Sequence, residues 1–303
     1  MKPDLKTRIG PLELKNPVML ASGTCGYGGE LADLLDLNLL GGIVVKGLSL
    51  KPRQGNPPPR VWETPCGLLN SIGLENVGAE AFLRDKLPYL RQLDTTVIAN
   101  ILGESVEEYA QVAEMLSSSP GLDAIEVNIS CPNVKAGGAA FGTDPGMAAQ
   151  VTEAVKKATH LPVICKLSPN VTDICAIAKA VEAAGADALS LINTLIGMAI
   201  DIEQRRPALA NVIGGLSGPA IRPVAVRMVY QAAKAVEIPV IGIGGIATGN
   251  DALEFLLAGA KAVQVGTATL VKPDAAIGVI QGIADYMERH GMENVAQLCL
   301  RQP

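Results

Sequence analysis

Short runs of β-branched and aliphatic residues recur along the chain at 17–22, 42–46, 96–101, 124–129, 162–167, 188–193, 239–243 and 262–265. They lack the polar alternation of a half-solvated strand, which is the pattern of strands buried on both faces of a parallel sheet. Between them, apolar residues return at helical spacing with polar residues opposite. One such segment follows Glu104 and Ser105 and runs from Val106 to Leu116. Another starts at Asp173 and stops near Gly185, glycine being a helix-ending residue type. A third begins after Gly249, with Asn250 as its expected cap. Ahead of the first run, 5–16 predicts a short hairpin: strands at 7–9 and 12–14 around a turn at Gly10 and Pro11. Eight strand–helix units without a break in composition predict a (β/α)8 TIM barrel of the α/β class, preceded by that hairpin. A doubly wound open sheet is the alternative.

Composition sharpens this picture mainly by exclusion. The length of 303 residues would suit two domains at ~150 residues each, but barrels of this class fold as one unit, so one domain over 1–303 is expected. With 25 Lys+Arg against 30 Asp+Glu, a net charge of −5 and no basic run, nucleic acid is not an expected partner. Two histidines exclude a histidine-rich metal cage, and no metal site is expected. The six cysteines (Cys25, Cys66, Cys131, Cys165, Cys175 and Cys299) lie too far apart for a C-x-x-C ligand pair, so neither a zinc site nor an iron–sulfur cluster is expected on this chain. Reduced thiols are expected. The segment 1–8 has no signal-like apolar core, and no uncharged apolar stretch reaches ~18 residues, so a cytoplasmic protein without a membrane span is expected.

In a barrel, chemistry gathers at the C-terminal strand ends. Those ends carry Ser22, Lys46 with Gly47, Asn100, Asn128 with Ser130 and Cys131, Lys166, Asn193 with Thr194, Gly244 with Gly245, and Gly266 with Thr267. The loops after the seventh and eighth strands combine glycines with a helix start, which suits a mononucleotide phosphate; a plain tight turn is the alternative. The run 242–247 also fits G-x-G-x-x-A, but no acidic residue follows at ~20 residues to hold a ribose, so no dinucleotide is inferred. The cluster 214–219 either lines the same ligand or turns the chain. Lys166 is flanked by apolar residues, and its charge needs a partner. A cofactor that becomes anionic on reduction, as flavin does, would supply one. An internal salt bridge and a Schiff-base lysine of a lyase are the alternatives. Cys131 lies in a loop among hydroxyl and amide side chains, and is either a general base or a packing residue.

These residues also carry a resemblance. The segments 70–76 (Asn-Ser-Ile-Gly-Leu-Glu-Asn), 126–133 (Glu-Val-Asn-Ile-Ser-Cys-Pro-Asn), 193–201, 214–219 and the two C-terminal glycine loops resemble the class 1 dihydroorotate dehydrogenases over essentially the whole chain. The run 133–145 is similar to the NAD-linked 1B type, with the fumarate-linked 1A type as the alternative. The resemblance implies an FMN-binding catalytic subunit of pyrimidine biosynthesis that oxidises (S)-dihydroorotate to orotate. It implies a homodimer core within a heterotetramer whose partner subunit carries FAD and a [2Fe-2S] cluster and passes electrons to NAD+. On this likeness Cys131 would be the base, and Lys46, Asn70, Ser71, Ile72, Gly73, Leu74, Asn128, Asn193 and Thr194 would surround substrate. Ser22, Lys46, Gly47, Asn100, Asn128, Lys166, Ile192, Gly218, Gly244, Gly245, Gly266 and Thr267 would hold FMN. Val77 departs from the family pattern, where proline is frequent, which bears on the shape of the Asn70 loop.

Overall fold

The computed structural model describes residues 2–130, 132–133 and 139–300. Eight parallel strands close into a barrel: β1 (Val18–Leu20), β2 (Gly42–Val44), β3 (Thr96–Ile101), β4 (Ala124–Asn128), β5 (Val163–Lys166), β6 (Ala188–Leu191), β7 (Val240–Ile243) and β8 (Ala262–Val265). Each expected run contains one of them. Neighbours in the barrel are neighbours in sequence, and β8 closes on β1 through Val263 opposite Val18 and Val265 opposite Leu20. The open-sheet alternative is thereby excluded.

Six outer helices follow β3 to β8: α1 (Val106–Ser117), α2 (Pro145–Ala158), α3 (Ile174–Ala183), α4 (Arg222–Ala235), α5 (Gly249–Leu257) and α6 (Ala275–Arg289). Their starts follow from side-chain chemistry. Ser105, Asp144 and Asp173 each cap a helix by accepting from backbone N–H groups of the first turn. For α5 the cap is Thr248 rather than the expected Asn250. Thr248 and Asp251 exchange side-chain-to-backbone bonds in a capping box, and Asn250 falls inside the first turn. The connection after β2 instead winds through a π-helical turn at Phe82–Lys86, flanked by α-turns at Ala79–Ala81 and Leu87–Leu90.

The hairpin pairs Thr7–Ile9 with Leu12–Leu14, as the sequence indicates. Its Ile9 and Leu14 are buried against Met19, Val44, Ile98, Ala124, Ile164, Ala188, Ile241 and Ala262, one residue from every barrel strand. This apolar layer seals the N-terminal end. Two residues further along several strands the inward side chains turn polar: Asn100, Glu126, Lys166, Ser190 and Gln264, all buried. At the C-terminal end, the connections after β2 and β6 build an antiparallel sheet in the order Leu195–Met198, Ile213–Ser217, Gly67–Asn70, Val61–Thr64. The 214–219 cluster is therefore mostly strand. Its glycines let other chain segments approach, since a Cβ on Gly215 would sit 2.1 Å from Thr194 Oγ1.

Candidate active site

The polar floor of the barrel mouth centres on Glu126, which is wholly buried. Its Oε1 accepts from Asn100 Nδ2 at 2.8 Å, and its Oε2 accepts from Ser190 Oγ and Gln264 Nε2, each at 2.8 Å. Lys166 Nζ stands 3.6 Å from Oε1. Lys166 thus has an internal counter-charge, the alternative the sequence left open. In the sequence Glu126 opens the 126–133 segment without an assigned role, because it sits inside an apolar run. The available signal was its place in β4, two residues before Asn128 and therefore on the same inward face.

Above the floor lies a ring of amides. The β5 register sets Lys166 opposite Asn128. Asn128 Oδ1 accepts from the Ser130 N–H at 3.1 Å and from Asn193 Nδ2 at 3.1 Å, and Asn193 Nδ2 also reaches Ser130 Oγ at 3.0 Å. Asn193 Oδ1 takes the Thr194 N–H at 2.8 Å. Behind Asn128, the buried Tyr109 donates its hydroxyl to the Asn128 carbonyl at 2.6 Å and packs edge-on against Phe141. Asn70 joins from the sheet across the mouth, donating through Nδ2 to the Gly215 carbonyl at 3.2 Å. Candidate substrate residues from three separate connections are thus brought together.

The Asn70 loop is held by its own polar residues. Asn56 donates to the Ser71 carbonyl and hydroxyl, and its backbone N–H donates to the Ile72 carbonyl. Buried Asn76 donates to the Leu74 carbonyl and accepts from the Gly78 N–H. Gly73 and Leu74 both take the left-handed conformation, at φ 75° and 59°. At the departure noted in the sequence, the Val77 N–H donates to Tyr27 Oη at 3.3 Å, a bond proline could not make.

A second cluster forms on the other side of the mouth. The Cβ position of Gly245 lies 2.8 Å from the Gly218 carbonyl oxygen, so the loops after β6 and β7 touch with no room for a side chain. Thr267 donates through Oγ1 to Ser217 Oγ at 2.8 Å, bringing the loop after β8 to the same place. Gly244 and Gly245 take φ of 128° and 72° ahead of α5. This glycine-lined cradle fits a phosphate. Gly266 faces Ala21 and Thr24 of the loop that carries Ser22, and Gly47 lies against Asn100 Oδ1. Lys46, half-buried, opens the connection after β2 with its N–H on the Gly26 carbonyl, and Ile192 follows β6, buried. The cradle is thus continuous with the polar floor. There the buried Gln264 Oε1 has no hydrogen-bond partner among the described residues. A phosphate cradle, a buried lysine and a spare buried acceptor suit a flavin mononucleotide.

Cys131 lies outside the described residues. Of the remaining thiols, burial pushes Cys25 and Cys165 up to about 12, so neither serves as a base at neutral pH. Among the described residues no group of three or more His, Cys, Asp or Glu side chains is placed to hold a metal ion, and no helix is long and apolar enough to cross a membrane.

The dihydroorotate dehydrogenase family profile matches residues 4–287. The chain is 60% identical to the dihydroorotate dehydrogenase B (NAD(+)) catalytic subunit of Citrifermentans bemidjiense over 98% of this chain and 97% of that one. Proteins of the same name from Pelobacter propionicus and Thermoanaerobacter sp. (strain X514) are 58% and 57% identical, with 98% and 97% of this chain covered and 98% and 97% of theirs.

Proposed function

Since the chain belongs to the dihydroorotate dehydrogenase family, we propose that it oxidises (S)-dihydroorotate to orotate in pyrimidine biosynthesis with FMN as its cofactor. The observation that carries this reading is the linked amide ring of Asn128, Asn193 and Thr194 above the buried Lys166–Glu126 pair. A planar, imide-bearing ring needs donors and acceptors fixed in direction. Here the amides fix one another. With Asn128 Oδ1 engaged by Ser130 and Asn193, its amide nitrogen is the group left to serve as a donor to a ring carbonyl. Asn70 approaches from the opposite sheet, and the loop of Ser71, Ile72, Gly73 and Leu74 flanks the same opening.

When bound, FMN supplies the acceptor for the hydride that leaves C6 of the substrate. Cys131 takes the C5 proton, so one hydride and one proton leave together and the ring gains its double bond. Lys166 would place a cation beside the flavin ring, Lys46 would serve both ligands, and Ser22, Gly47, Asn100 and Ile192 would line the ring's site. Gly218, Gly244, Gly245, Gly266 and Thr267 would hold the phosphate. The family pattern and the cysteine spacing support a partner subunit carrying FAD and [2Fe-2S], which passes electrons to NAD+, around a homodimer core. Exposed Ile196, Met198, Ile200 and Ile202, beside the mouth sheet, form an apolar row of the kind an associated chain covers. A cytoplasmic location follows from the same pathway. The lyase reading is less well supported, because Lys166 is engaged by Glu126 rather than free for attack on a carbonyl.

Reconstitution with FMN should give a yellow protein that is bleached by dihydroorotate. A Cys131→Ser variant should still bind orotate but reduce its flavin at least ~100-fold more slowly at neutral pH, the scale of general base catalysis. Unchanged reduction kinetics would remove Cys131 from the role of base. Turnover with fumarate alone and no copurifying subunit would move the chain to the 1A type.

A further inference from the structure

The sequence motifs account for Lys166, but nothing in them explains the carboxylate beneath it. Glu126 has no exposed surface, and a charge in that position persists only when it is paired and hydrogen-bonded. Its pairing is complete: amide N–H donors from Asn100 and Gln264, a hydroxyl from Ser190 and the Lys166 ammonium come from four strands, β3, β8, β6 and β5. Two of the groups it holds, Asn100 and Lys166, are those that the flavin reading places at the cofactor ring. One acceptor of the network, Gln264 Oε1, is left over. A buried polar atom without a partner is the exception in a network that serves stability alone.

We propose that Glu126 is a positioning residue for the redox reaction: by pairing with Lys166 and holding Asn100, its carboxylate fixes both groups toward the flavin and offsets part of the lysine charge that stabilises reduced flavin. The inference rests on the flavin reading above. The direction of its effect follows from charge alone. The reduced flavin carries more negative charge than the oxidised one, so an uncompensated Lys166 favours reduction. An uncompensated Glu126 opposes it.

The test is a double-mutant cycle of Glu126→Gln and Lys166→Met, read as the midpoint potential of bound flavin by spectroelectrochemistry. Glu126→Gln should shift the equilibrium toward reduced flavin about tenfold, which is about 30 mV more positive for a two-electron couple. Lys166→Met should shift it by a similar factor the other way, and the double variant should return to within about twofold of wild type. A loss of packing would not reverse sign between the two variants. If Glu126→Gln fails to fold or to retain FMN, the double variant, which buries no lone charge, should recover both; failure to recover overturns the proposal. So does a Glu126→Gln potential within twofold of wild type. A wild-type protein that takes up no FMN would instead overturn the flavin reading itself, which keeps the two failures apart.

Discussion

At the scale of single residues, burial decides which thiols can act. Cys25 lies against the Ala21 and Val44 carbonyls, and Cys165 contacts Thr152 inside the barrel wall. Burial holds both well above the ordinary thiol value of 9.0, at about 12. Below pH 9 both are protonated whether the chain is folded or not. Between pH 9 and 12 the unfolded thiols ionise while the folded ones do not, so stability falls across that window by about 1.4 kcal/mol per pH unit for each thiol. Urea midpoints should therefore drop between about pH 8.5, just below that window, and about pH 10.5, its middle, and the drop should be smaller in a Cys25→Ala/Cys165→Ala variant. Equal slopes in the two proteins would show that these thiols are not the source. The same logic removes Cys25 and Cys165 as rivals for the proton transfer proposed above for Cys131.

At the scale of elements, α5 shows what local chemistry contributes. Thr248 and Asp251 close the capping box, and Asp251 also accepts from the Ala247 N–H and pairs with Arg222 of α4. Thr248→Ala should cost about 1 kcal/mol in a denaturant titration, and a change under 0.3 kcal/mol, roughly the low end for caps, would show that Asp251 holds the turn alone. The barrel strands and outer helices were legible because burial on both faces, or on one stripe, leaves a period in the sequence. The cap of α5 was misplaced by two residues because Thr248 and Asn250 are both competent caps, and the backbone alone decides between them. The sheet over the mouth was not legible. Its strands are short, rich in glycine and only partly buried, as in Leu195–Met198 and Ile213–Ser217, so no period stands out. Among site residues, the asparagines at strand ends could be placed from strand position. Strand position also puts Glu126 on the inward face, but its role comes from donors on four other strands of the barrel wall.

At the scale of the whole molecule, the barrel interior is layered along its axis, from an apolar layer under the hairpin to a polar floor and then the mouth. The hairpin belongs to stability rather than to the site. Leu14→Ala, at a side chain 2% exposed, should cost about 2–5 kcal/mol by urea titration. Flavin affinity should stay unchanged wherever the variant is folded. A loss of affinity without a loss of stability would tie the base to the site and contradict this separation. The sealed base has a kinetic meaning as well. Among the described residues the apolar layer closes the base, so on the function proposed above product would leave by the mouth through which substrate enters. Orotate should then inhibit competitively against dihydroorotate, and a non-competitive pattern in initial-rate kinetics would contradict a shared mouth.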